Sequence, residues 1–198
     1  MTETAETEAK PDLMFQDEIR DLVRGAYEVL DQPDGPATVL YTDEDLAWLP
    51  VGARDWALGV GAPVQHAGLR AGEDVADLGC GAGIDSLLAA REVGSEGQVV
   101  GVDILPSMTD RARGFADEAG LGNVEFVTAP MEELPLDDAS VDVVVSNGAI
   151  NLTARKSRVL AEAYRILRPG GRMTVADLTI REEELPSEIL THPSAWAG

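Results

Sequence analysis

The stretch VADLGCGAGIDS, residues 75–86, limits the fold of this chain more than any other. A strand-like run ends at three alternating glycines, Gly79, Gly81 and Gly83, and the helix that follows carries Asp85 in its first turn. Glycines there let the backbone turn tightly and approach a ligand with no Cβ in the way. The rhythm continues after residue 73. DVADLG, QVVGVDI, NVEFVT, SVDVVVSN and RMTVADL read as strands. Helices fall between them: from about Gly83 to Glu92, from Pro106-Ser107 with Ser107 and Asp110 as a capping box, and from a Thr153 cap to the stop at RPGG. Strands alternating with helices at this spacing predict a parallel α/β sheet wound by right-handed crossovers, with helices on both faces.

The residues before the sheet read differently. Residues 1–11 lack aromatic and β-branched packing residues apart from threonine and are expected to be a disordered acidic tail. Residues 12–72 are expected to form a helical cap: Phe15, Ile19, Leu22, Val23, Ala26, Val29 and Leu30 share a helical face, DQPDGPA breaks it, and DEDLAWL makes a short helix before Pro50. The wound domain then runs over 73–180, with a short segment, 181–198, after it.

Composition removes several classes of function. A length of 198 residues suits one domain with a modest extension. No apolar run approaches a membrane span, and the polar, acidic start is unlike a targeting peptide, so the cytoplasm is the expected location. One cysteine and two histidines leave no disulfide and no zinc cluster, so no metal site is expected. A formal net charge of −21 opposes a nucleic-acid partner, because phosphate neutralisation needs a basic face. Only Lys10 and Lys156 are lysines, a balance that suits a salt-rich cytosol as well as it suits a biased genome with an acidic tail.

The acids decide between ligands. A dinucleotide loop would place its third glycine at position 84, which is Ile84 here, and Asp85 would repel a pyrophosphate at the helix N-terminus. No Gly-Lys-Ser/Thr follows, which excludes a P-loop. Asp77 and Asp85 around the loop suit an ammonium and a sulfonium instead. Asp103, at the end of the second strand, is placed to accept both ribose hydroxyls of an adenosine. Strand, DLGCGAG, Asp85 and Asp103 in this register resemble the class I S-adenosylmethionine-dependent methyltransferases. The likeness continues through NVEFVTAPMEELPLDDASVDVVVSN and VLAEAYRILRPGG. It implies a Rossmann-like fold and S-adenosylmethionine as cofactor. Asp77, Gly79, Gly81 and Asn147 would surround its methionine part, Asp103 its ribose, and Ile104 its adenine. Pro130 stands where members often carry an aspartate, leaving the Met131 N–H and side chain to hold the ring. Gly83, Asp85 and Cys80 complete the expected loop, Cys80 as a small residue in a tight turn.

A second layer of resemblance is narrower. LGVGAPV, SNGAINL and LPSEILTHPSAWAG are similar to segments of the arsenite methyltransferases, whose thiolates, soft ligands, hold trivalent arsenic. By that likeness two thiol positions are Val60 and Gly148, and a third lies just past Gly198. The scaffold therefore matches and the arsenic ligands do not. The expectation is a methyltransferase for a different small molecule. Arsenite itself, a non-catalytic relative and a nicotinamide-dependent oxidoreductase are the alternatives. The fold family usually adds a strand pair after the fifth strand, and only 20 residues follow Leu178, so that pair is expected to be absent and the open edge to favour a homodimer. His66 and His192 are candidate bases, Asn151 and Trp196 candidate pocket residues, and no catalytic residue is assigned.

Overall fold

The computed structural model describes residues 12–28 and 40–179, with side chains from residue 18 onward. The tail 1–11, the segment 181–198, Val29, Leu30, His192 and Trp196 lie outside the described residues. Among the described residues four helices precede the sheet: α1 (Asp12–Glu28), α2 (Asp43–Leu46), α3 (Val51–Asp55) and α4 (Pro63–Ala67). Then come β1 (Val75–Leu78), α5 (Ile84–Val93), β2 (Val99–Asp103), α6 (Pro106–Ala119), β3 (Val124–Thr128), β4 (Val141–Asn147), a 3-10 turn (Ile150–Leu152), α7 (Lys156–Ile166) and β5 (Leu167–Ala176).

The five strands form one sheet in the order β3-β2-β1-β4-β5 with every pairing parallel. Val75, Ala76 and Leu78 in β1 have no exposed surface, and Val143, Val144 and Val145 beside them in β4 have none either. Such unbroken apolar runs belong to strands covered on both faces. One face packs Leu87, Ala90 and Val93 of α5 and Val64 of α4; the other packs Val159, Ala163 and Ile166 of α7. Each fully buried Val or Leu removes apolar surface worth about 1.5–3 kcal/mol.

Since β1 pairs with β2 on one side and β4 on the other, the chain reverses direction of winding at β1. Wound sheets leave a crevice at that point, beyond the carboxyl ends of the strands. The expected α/β architecture is therefore present, as is a helical layer before it.

Local details differ from the sequence reading. Ser107 and Asp110 do not form a capping box: α6 starts with Pro106 at its first position, no side chain caps it, and Asp110 pairs with Arg113 at 2.5 Å. Pro106 removes one donor that a cap would otherwise have to satisfy. Thr153 does not cap α7 either; it closes the 3-10 turn, and Arg155 takes the cap position. β5 begins at Leu167, earlier than RMTVADL, because Leu167 already pairs with Val141, and RPGG takes up a shift in register before Arg172 pairs with Val143.

Candidate functional site

At the crevice lies a cavity of about 990 Å³, part of it open to solvent. The glycine loop after β1 forms its floor. Gly79, Gly81 and Gly83 all have positive φ, at 74°, 51° and 90°. Two of them are also sterically fixed. A Cβ on Gly79 would stand 2.2 Å from Ala149 Cβ, and one on Gly83 would stand 2.9 Å from Ala112 Cβ. Gly81 has nothing within 4 Å of that position, so its backbone faces open space. Gly79, Cys80 and Gly81 line the cavity, as do Asp85, Asp103, Ile104, Met131 and Asn147. Gly83 and Asp77 do not reach the wall: Gly83 starts α5, and Asp77 lies beneath the loop, accepting a 2.6 Å hydrogen bond from Ser86 Oγ.

Asp103 holds the loop from the β2 side. Its Oδ2 accepts from Gly81 N and its Oδ1 from Leu105 N, both at 2.9 Å. A carboxylate offers about four acceptor sites, so capacity remains for two more donors. Burial raises its pKa above the ordinary carboxylate value. Burial likewise raises Asp77, with the Asp85 charge adding to it, and raises Asp85. None of these three acids forms an ion pair with a described Lys or Arg. Buried carboxylates without a cation are costly, and a cationic ligand relieves that cost. Among the described residues no cluster of His, Cys, Asp and Glu could hold a metal ion.

Asn147 does something the sequence reading did not foresee. Its Oδ1 accepts from Val60 N at 2.8 Å and Gly61 N at 2.9 Å, while Nδ2 donates to Gly61 O at 2.8 Å and Asp85 Oδ2 at 3.0 Å. Two lone pairs and two N–H groups are thereby used. Asn147 fixes the Gly59–Gly61 segment and Asp85 and has no donor left for a ligand. Tyr41 donates its phenol to the other Asp85 oxygen, and burial and that carboxylate hold its own proton firmly on.

Val60 and Gly148 face each other. A Cβ on Gly148 would lie 3.5 Å from Val60 Cγ1, ordinary contact distance. Burial, with Asp77 and Asp103 adding, pushes the Cys80 thiol well up, so it stays protonated and is a poor nucleophile.

α1 closes the cavity from above with Ile19, Val23 and Tyr27. Arg20 reaches Glu132 at 3.5 Å, and Tyr27, Trp56 and Leu58 pack on Ala82, Leu105 and Met108. Arg111 stacks on Trp56 at 3.8 Å. Sequence reasoning had the face of α1 but not its target, and it missed Tyr41 and Tyr27 altogether. Asn151 is tied to Asp177, through Oδ2 to its N–H at 2.9 Å and Oδ1 to its amide at 3.0 Å, and does not line the cavity; nor does His66.

A glycine loop under a crevice, with an acid at the end of the neighbouring strand, defines a Rossmann-like domain for an adenosine-containing cofactor. A family profile described as "Methyltransferase domain" matches residues 69–197. The chain belongs to that methyltransferase family. It is 40% identical over 167 residues to an arsenite methyltransferase of Halobacterium salinarum, covering 84% of this chain and 42% of the relative. It is 41% identical over 128 residues to a ubiquinone/menaquinone biosynthesis C-methyltransferase of a Marinomonas species, covering 64% and 51%. Among solved structures, the arsenic (III) S-adenosylmethionine methyltransferase of Chlamydomonas reinhardtii superposes with a TM-score of 0.68 at 38% identity, covering 77% of this chain and 53% of that one. The chain thus spans about half or less of the length of these relatives. Family and fold together make S-adenosylmethionine the cofactor of the domain, as the sequence resemblance implied. No helix among the described residues is long and apolar enough to cross a membrane.

Proposed function

We propose that this domain belongs to an S-adenosylmethionine-dependent methyltransferase acting on a small molecule, with an acceptor pocket altered from that of the arsenite enzymes. One observation carries the reading: buried Asp77 and Asp85 and half-buried Asp103 surround a glycine loop and pair with no described cation. The cofactor carries the matching ammonium and sulfonium, and when bound it supplies an electrophilic methyl group.

The chain's own residues then have separable tasks. The free lone pairs of Asp103 accept the ribose hydroxyls, and Ile104 and Met131 offer apolar surface to the adenine. Gly79 and Gly81 let the methionine part lie against backbone. Asp85, held by Tyr41 and Asn147, keeps negative charge at the cavity wall. Asp77, hydrogen-bonded to Ser86 beneath the loop, braces the first turn of α5, and Gly83 sets the start of that helix. α1 excludes water from above with Ile19 and Val23. Alignment of an acceptor about 3 Å from the methyl supplies much of such a rate, and no residue is assigned to proton removal.

The altered acceptor rests on Val60 and Gly148. Gly148 lines the cavity and Val60 packs against it, so the two positions adjoin as a shared ligand site requires, yet neither carries a thiol. Cys80 cannot replace them, being a lone, protonated thiol in the cofactor loop. A cytoplasmic protein without a nucleic-acid partner, and with β5 covered in a homodimer, belongs to the same proposal.

The test is turnover. Purified protein is incubated with S-adenosylmethionine and a panel of small molecules, arsenite among them, and S-adenosylhomocysteine release is measured. Release with an organic acceptor and none with arsenite is the expected result. Release with arsenite would make the protein an arsenite methyltransferase proper, and binding without release from any acceptor would make it a non-catalytic relative.

A further inference from the structure

The residues after β4 form a wall that the cofactor assignments do not use. In the strand order, β2, which ends at Asp103, and β4, whose C-terminal end leads through the 3-10 turn to Thr153, flank β1 on opposite sides. An adenosine seated at Asp103 therefore leaves the β4 side of the cavity for something else. That side presents Gly148, Ala149, Leu152 and Ala154, and Ile19 and Val23 of α1 line the same cavity. Glu132 nearby is ion-paired with Arg20. Thr153 stands in this wall, 8% exposed, and its Oγ1 has no hydrogen-bond partner among the described residues.

A buried hydroxyl without a partner is a cost the fold carries, since most such groups are satisfied in native structures. Thr153 gains nothing as a helix cap, because Arg155 takes that position. Thr153 lines the cavity, and a staggered step of χ1 moves its hydroxyl without moving the backbone. We propose that the β4 side of the cavity is the acceptor subsite, that it takes a neutral, mainly apolar molecule bearing a hydroxyl, and that Thr153 is the specificity-determining residue that hydrogen-bonds it. This rests on the cofactor reading above. An uncharged acceptor fits because the wall offers apolar surface, one free hydroxyl and an ion pair already neutralised.

The probes are 4-ethylphenol and its hydroxyl-free counterpart ethylbenzene, titrated by ligand-observed NMR into protein saturated with S-adenosylhomocysteine. Both bind, the phenol more tightly. Thr153→Val, which keeps the shape, weakens the phenol about three- to tenfold, to the level of ethylbenzene. Thr153→Ser restores it, and the affinity for S-adenosylhomocysteine is unchanged in both variants. The free Thr153→Val protein also melts no lower than the wild type, as removal of an unpartnered hydroxyl requires. Phenol affinity unchanged in Thr153→Val overturns the role of Thr153. Loss of S-adenosylhomocysteine affinity instead makes Thr153 a cofactor residue and overturns the assignment. Binding of neither probe to the S-adenosylhomocysteine-loaded protein overturns the apolar subsite while leaving the cofactor reading intact. Failure of S-adenosylhomocysteine itself to bind brings down the cofactor reading, and this inference with it.

Discussion

Gly79→Ala separates two reasons for a glycine in the loop. The residue sits at φ 74°, where a side chain costs about 1–2 kcal/mol. The new methyl would also lie 2.2 Å from Ala149 Cβ, and overpacking of that kind costs about 1–3 kcal/mol. The variant should therefore lose about 2–5 kcal/mol, the sum of these terms. Ala149→Gly removes the opposing methyl and costs about 0.5–1 kcal/mol by itself. In the double variant only the backbone strain and the glycine cost remain, so it should be more stable than the sum of the single losses by about 1–3 kcal/mol. Urea unfolding of the four proteins measures the coupling. Strict additivity would refute the claim that this contact, rather than φ alone, dictates the glycine.

Two further outcomes follow from the acids. Asp103→Asn keeps a side chain of the same shape but removes the charge that would accept the ribose hydroxyls; S-adenosylhomocysteine affinity should fall at least tenfold by calorimetry, about 1.5–3 kcal/mol per charged hydrogen bond. Asp77 has a folded-state pKa raised above its unfolded value, so the folded protein binds the extra proton and stability falls as pH rises from the unfolded pKa through the raised one. Asp77→Asn should flatten that fall and stabilise the ligand-free protein at pH 8 by at least about 1.4 kcal/mol, the equivalent of one pKa unit. An unchanged slope in denaturant melts between pH 5 and pH 8 would show that Asp77 is not the group responsible.

The sheet was legible because its strands are valine-rich runs set between helix-period segments, and four of the five agree with the sequence reading to within a residue or two at each end. β5 was placed too late, since RPGG reads as a helix stop while Leu167 just before it already pairs with Val141 of β4. α3 went unseen: five residues, VGARD, carry no periodicity to detect. The loop glycines, Asp85 and Asp103 could be picked out because strand, turn and helix fix their places locally. Asn147 could be placed at the strand end, but not its work, because its partners lie 62 to 87 positions away along the chain. Tyr41 meets Asp85 across 44 positions, and no local pattern announces such a bond. Val60 and Gly148 were singled out separately by resemblance; their contact belongs to the fold alone.

The central claim is that the buried acids and the glycine loop are built for an adenosyl cofactor bearing positive charge and not for a pyrophosphate. Calorimetric titration of the protein with S-adenosylhomocysteine, S-adenosylmethionine and NAD tests it directly. The account requires saturable one-to-one binding of both adenosyl-sulfur ligands and none of NAD, whose pyrophosphate would meet Asp85 at the start of α5. Binding of NAD in preference, or no binding of either sulfur ligand by folded protein, would contradict it.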